Sequence, residues 1–127
     1  PEGKANRDIP LYHRPLITVV DPPFSRKHWT HVAFTFQGYN NGDEQGVARL
    51  YLDGSPRGDL MSWPQRFTWD LDQAEIRLGV KFVGGLDEVS CFDRALEPTE
   101  ISDLFSLKDG VTPLAKSKGG EATAPAP

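Results

Sequence analysis

Residues 82–105, Phe-Val-Gly-Gly-Leu-Asp-Glu-Val-Ser-Cys-Phe-Asp-Arg-Ala-Leu-Glu-Pro-Thr-Glu-Ile-Ser-Asp-Leu-Phe, decide the fold class. In the first half Val89, Cys91 and Phe92 lie so close that both faces are apolar, which predicts a strand buried on both sides. The second half predicts a short helix. Pro98 suits the first helical position, Glu100 the third, and Ile101, Leu104 and Phe105 fall on one stripe. Leu96 outside and Ile101 inside have the spacing of a hydrophobic staple. Glu97 falls at the cap, where Glu is not favoured, so packing rather than propensity must hold this helix. Asp93 and Arg94 are expected to order the turn between the two through a salt bridge and backbone bonds.

Working back toward the N-terminus, Ala74–Val80 alternates, with Ile76, Leu78 and Val80 on one side and Glu75 and Arg77 on the other. Residues 59–72 carry Met61, Trp63, Phe67 and Trp69 and are read as a covering loop with a short strand. Val47–Leu52 alternates again, and Asp53-Gly54 after it is a strong two-residue hairpin signal. Pro56 then delays the returning strand or confines it to an edge. Trp29–Phe36 places Val32, Phe34 and Phe36 on one face. Gln37–Gly46 is a loop rich in Gly and Asn. Leu16–Val20 is a short β-rich run closed by Asp21-Pro22-Pro23. Together these predict one interior shared by Val32, Phe34, Leu50, Leu52, Ile76 and Leu78.

A chain of 127 residues, 38% apolar, is one domain's worth, and its 12 Gly, 11 Pro and 7 Phe favour many turns and aromatic strands. The net charge of −4, without clustered Lys or Arg, argues against a nucleic-acid binder. No apolar run is long enough to span a membrane. The first residue is Pro1, as expected of a processed product or a piece of a longer chain. Cys91 stands alone, which excludes an internal disulfide. Residues 1–15 are read as an extended arm, 16–107 as the domain, and 108–127 as an Ala-, Pro-, Gly- and Lys-rich flexible tail.

Several strands spaced by turns, with one terminal helix, describe an all-β antiparallel sandwich. The motifs Trp29-Thr-His-Val-Ala-Phe-Thr-Phe36, Ala48-Arg-Leu-Tyr-Leu-Asp-Gly54, Ile76-Arg-Leu-Gly79, Gly85-Leu-Asp-Glu-Val89 and Phe92-Asp-Arg-Ala-Leu96, followed by Glu100-Ile101, resemble in this order the laminin-G-like family. That resemblance implies a concanavalin A-like jelly roll of two sheets, used mainly as an extracellular recognition module for carbohydrate or protein. The sequence is also similar to versions in planctomycete-like bacterial surface proteins. The family's further strands before Trp29 are represented only by Leu16–Val20, so the chain looks like the C-terminal part of a domain. It is then completed by further strands or by a partner chain, or it keeps an exposed sheet edge.

The candidate site is the loop Tyr39-Asn40-Asn41-Gly42-Asp43-Glu44. Asn41, Asp43 and Glu44 supply hard oxygen ligands suited to calcium, and Tyr39 could stack on a sugar, with Asn40 beside it. The plainer reading is a solvated turn, since turns use these residues anyway. Trp63, beside Pro64, is a second ligand-binding candidate, whereas Trp69 reads as core. His28 and His31 are spaced like a helical metal pair but lie at the mouth of a strand, which makes zinc a poor reading. Asp87 and Glu88 are adjacent on the expected strand and point apart, unlike a glycosidase pair; they are expected to bond loop amides or an Arg. Asp70, Asp72 and Glu75 approach the superfamily's glucanase signature but begin with Asp rather than Glu. Ser-His-Asp catalysis lacks a nucleophile elbow, and Cys91 reads as inert core. Function then reads as a non-catalytic recognition module of a secreted, periplasmic or surface protein, binding carbohydrate or protein with calcium as the expected cofactor. The rivals are a structural module completed by a partner chain and a glycoside hydrolase relic.

Overall fold

A computed structural model describes residues 16–40, 46–63, 68 and 70–111, the side chains of 61–63 and 71 excepted. Its elements are β1 (Val32–Gln37), β2 (Gly46–Leu52), β3 (Ser55–Trp63), a 3-10 turn at Leu71–Gln73 and α1 (Pro98–Phe105). The three strands form one antiparallel sheet in the order β1-β2-β3. This agrees with the expected all-β class and its single short C-terminal helix. The described residues build one sheet, and a second sheet is not among them.

Register follows from alternation and one turn. Phe34 faces Leu50, Val32 faces Leu52 and Phe36 faces Ala48, so these six side chains share a sheet face. Asp53 and Gly54 both adopt left-handed backbone (φ 49° and 75°), the pair a type I′ hairpin requires. Asp53 also ties this turn to the start of β1. Its N–H donates to the His31 carbonyl, and its carboxylate accepts the His31 N–H, both at 2.9 Å. Pro56 lies in β3 at the sheet edge, where register irregularities fall between Leu50 and Tyr51 and between Gly46 and Ala48. The strand runs on to Trp63, so the first part of the 59–72 stretch, read as a covering loop with a short strand, is strand.

The buried apolar residues are Ala48, Tyr51, Leu52 and Ile101. Ala48 and Leu52 belong to the Phe34 face, where the side chain of Ile17 occupies the space a Cβ would need at Gly58. Tyr51 points to the other face, and α1 lies there. Pro98 and Tyr51 border a common groove, while Phe105 packs on His31 with ring centroids 5.9 Å apart. Glu97 caps α1, and the Glu100 carboxylate reaches back to accept the Glu97 N–H at 2.8 Å. Arg94 grips Glu100 through both guanidinium nitrogens (2.6 and 2.8 Å), not Asp93 as expected. The reason is geometric: Glu100, fixed at the cap, offers two oxygens to the planar fork. Those two hydrogen bonds, with the one from the Glu97 N–H, lower the pKa of the Glu100 carboxyl from 4.5 to about 2. Ionised Glu100 therefore supports the cap in full above pH 4.5; that support declines as pH falls from there and is gone once pH has fallen through about 2.

Three expected strands are not formed. Leu16–Val20 is present but unpaired, and residues 74–97 carry no strand. Val89 and Phe92 are exposed rather than buried on both sides, and Cys91 is exposed too. The backbone shows why. Glu88 sits at φ 52°, Lys81 at 61° and Gly79 at 73°, each a break in extended structure. Ile76 and Leu78, 80% and 59% exposed, accordingly do not join the interior of Leu50 and Leu52.

Among the described residues, His31 carries a pH-sensitive element beside the core. Burial lowers its pKa from 6.5, with the Asp53 charge opposing, and its Nδ1 is buried without a hydrogen-bond partner. A folded value below the unfolded one means stability is whole above pH 6.5 and is lost as pH falls through the folded value. Melting temperature is expected to drop between pH 7.5 and 5.5, and His31→Asn to flatten that drop; equal slopes for both proteins would refute it.

Candidate functional site

The loop entrance is where the sequence placed the ligand, and the structure places Tyr39 and Asn40 in a turn there, Asn40 at φ 64°. Asn41, Asp43 and Glu44, the expected calcium ligands, lie outside the described residues, as does the side chain of Trp63. Tyr39 is fixed by its surroundings. Its ring fills the space a side chain at Gly46 would take, so a larger residue there would force the ring to move.

The ring of Tyr39 does not stand by itself. Phe36 lies 6.3 Å from it and Phe34 lies 6.1 Å from Phe36, giving a ladder of three aromatic rings along one face of β1. Phe34 and Phe36 are 56% and 60% exposed, and Val32 continues the stripe at 51%. Beside the ladder, Leu16, Ile17, Phe34, Ala48, Leu50 and Leu60 border an apolar cleft of about 230 Å³. Sequence reasoning missed this site because it assigned the alternating face to the interior. Alternation gives the face; what it does not give is whether a layer covers it, and among the described residues none does.

The electrostatics of the ladder are simple: β1 bears no charged side chain on either face. Adjacent rings are tilted by 33° and 55°, so they make a corrugated apolar strip rather than one flat platform. Such a strip suits interdigitating side chains better than a stacked sugar ring.

The other candidates make local contacts. The Asp87 carboxylate accepts the Glu88 N–H (2.9 Å), and the Glu88 carboxylate accepts the Val111 N–H (2.9 Å), as expected of loop-bonding carboxylates. Asp70 holds the 3-10 turn through the Asp72 N–H and the Gln73 amide, while Glu75 pairs with Arg77. The His28 ring lies between the Ser25 hydroxyl (3.1 Å) and the Pro23 carbonyl (3.0 Å). A second groove, open and about 470 Å³, runs between Arg49, Tyr51, Pro56 and Asp59 of the sheet and the cap Glu97 and first residue Pro98 of α1.

Comparison with known proteins gives a consistent answer. A laminin-G family model, described as the concanavalin A-like lectin/glucanases superfamily, matches residues 13–102. No curated protein matches the chain. Among solved structures the chain is similar to residues 221–444 of an S-layer domain-containing protein from Clostridium thermocellum ATCC 27405. Identity is 24%, the TM-score is 0.52, and the likeness is one of fold. The match covers 68% of this chain and 43% of that one, so this chain spans less than half of the other's length.

Proposed function

The chain belongs to the concanavalin A-like lectin/glucanases superfamily through its laminin-G-type domain, and on that premise we propose a non-catalytic recognition and assembly module of a larger surface or extracellular protein. The observation that carries this reading is the exposed Val32-Phe34-Phe36 strip, uncharged and continued by the half-buried ring of Tyr39, with an apolar cleft at its side. Protein side chains are the ligand class it favours. Desolvating two half-exposed Phe rings supplies roughly 1 kcal/mol or more each at about 25 cal/mol per Å². The S-layer domain-containing neighbour in fold fits a surface location. Carbohydrate binding and calcium at Asn41, Asp43 and Glu44 rest on residue types alone.

An apolar fluorescent probe, anilinonaphthalene sulfonate, tests the strip directly. The native chain is expected to bind it, and Phe34→Ser with Phe36→Ser to reduce that binding severalfold. Thermal melts cover the alternatives, because a ligand at 100 times its Kd stabilises the native state by about 2.7 kcal/mol. Neutral oligosaccharides and calcium are expected to leave the melt unmoved. A rise with oligosaccharide would replace the protein ligand by a sugar, and a rise with calcium reversed by a chelator would move the site to the 39–44 loop.

A further inference from the structure

Residues 22–42 contain no Asp or Glu, in a chain that carries 18 acidic residues and a net charge of −4. Within that stretch lies Phe24-Ser-Arg-Lys-His-Trp29, two adjacent cations with an aromatic ring at each end. Phe24 and Trp29 are 54% and 71% exposed, and Arg26, Lys27 and His28 are exposed between them. Neither cation joins an ion pair among the described residues, where the pairs are Arg77–Glu75 and Arg94–Glu100. Local bonds fix the loop. The Ser25 hydroxyl accepts the Lys27 N–H at 2.9 Å and meets the His28 Nδ1 at 3.1 Å. The His28 Nε2 donates to the Pro23 carbonyl at 3.0 Å, and the Thr30 hydroxyl donates to the same oxygen at 3.4 Å. The tip of the Trp29 indole lies against Gly85, where a Cβ would come within 3.1 Å of it. The bend is therefore closed before a partner arrives, and little ordering cost remains on binding.

We propose that the Phe24–Trp29 loop seats the domain on an anionic lipid surface, as a peripheral contact. The two rings enter the boundary between headgroups and acyl chains, while Arg26 and Lys27 meet the lipid phosphates. Phe24 favours lipid over an acidic polysaccharide, because a phenyl ring has no hydrogen-bonding group and its burial rewards an apolar phase. The acid-free stretch lets this part of the chain approach negative charge. Asp21, the nearest acid before it in sequence, is set off by Pro22-Pro23, and acids farther than a Debye length of about 8 Å are screened. The contact is separate from the β1 strip and does not depend on that strip's protein ligand.

Co-sedimentation of the 127-residue chain with vesicles of equal parts phosphatidylglycerol and phosphatidylcholine tests this. Binding is expected there and is expected to be far weaker on phosphatidylcholine alone. Arg26→Gln with Lys27→Gln is expected to weaken it about 25-fold, roughly fivefold for each cation. Phe24→Ser and Trp29→Ser are each expected to weaken it about tenfold. Should either ring replacement disturb the fold, the Arg26 and Lys27 double variant decides, since those side chains are exposed and form no ion pair among the described residues. A chain that ignores the mixed vesicles, or binds them equally well without the two cations, overturns the proposal. So does binding that neither ring replacement weakens, which is charge adsorption without seating. Retention on polygalacturonate without binding to vesicles would give the loop to an acidic polysaccharide instead. Each of these results leaves the recognition reading of the β1 strip standing.

Discussion

Tyr51→Ala is expected to destabilise the fold by about 4 kcal/mol, within the 3–5 kcal/mol typical of truncating a buried large ring. Tyr51 is only 1% exposed, and it sits on β2, the central strand, opposite Ala33 on one side and Pro56 on the other. Two ladders hold that backbone in place, so it has little freedom to collapse into the space the ring leaves. With α1 lying over the same face, the cavity would open at the sheet–helix junction. Urea melts should show the midpoint falling with an unchanged slope. Since small domains hold only about 5–15 kcal/mol in total, a partly unfolded population in buffer is an equally expected form of the result. A loss under 1 kcal/mol would mean that Tyr51 is not a core residue.

Ile101→Ala follows at about 3 kcal/mol, in the 2–5 kcal/mol range for buried Ile. Ile101 is the buried side chain of α1, at 2% exposure, and the helix has only eight residues, too few to persist without docking. Alanine's better helix propensity returns only a few tenths of a kcal/mol and does not alter the sign. The variant has a second readout. Loosened docking would withdraw Phe105 from the His31 ring and let water reach it, so the His31 pKa should move up toward 6.5. A destabilised protein with an unmoved His31 would show that the two ends of α1 dock independently.

The local signals were legible where they are self-contained. Asp53-Gly54 specified its turn by backbone preference, Pro98 and Glu100 marked the helix start, and alternation set Phe34 against Leu50. What alternation leaves open is whether a face has anything to lie against. Val32, Phe34 and Phe36 satisfy the pattern of a core strand, yet remain half-exposed because that depends on elements distant in the chain. The same holds for Ile76 and Val89, whose β-rich surroundings find no ladder partner among the described residues. Arg94 choosing Glu100 over Asp93 is a third case, settled by the fixed geometry of a helix cap. Loop composition singled out Tyr39, but its packing beside Phe36, and Phe36 beside Phe34, needed the register.

The ring of Tyr39 seated in the vacant side-chain position of Gly46 has a practical meaning for anyone remodelling this protein. The two residues act as a clasp at the mouth of the segment between them. Foreign sequences could be grafted in place of residues 41–45 while the clasp is left alone, with the sheet below unaware of the exchange. Replacing Gly46, by contrast, would evict the ring and unfasten both ends at once.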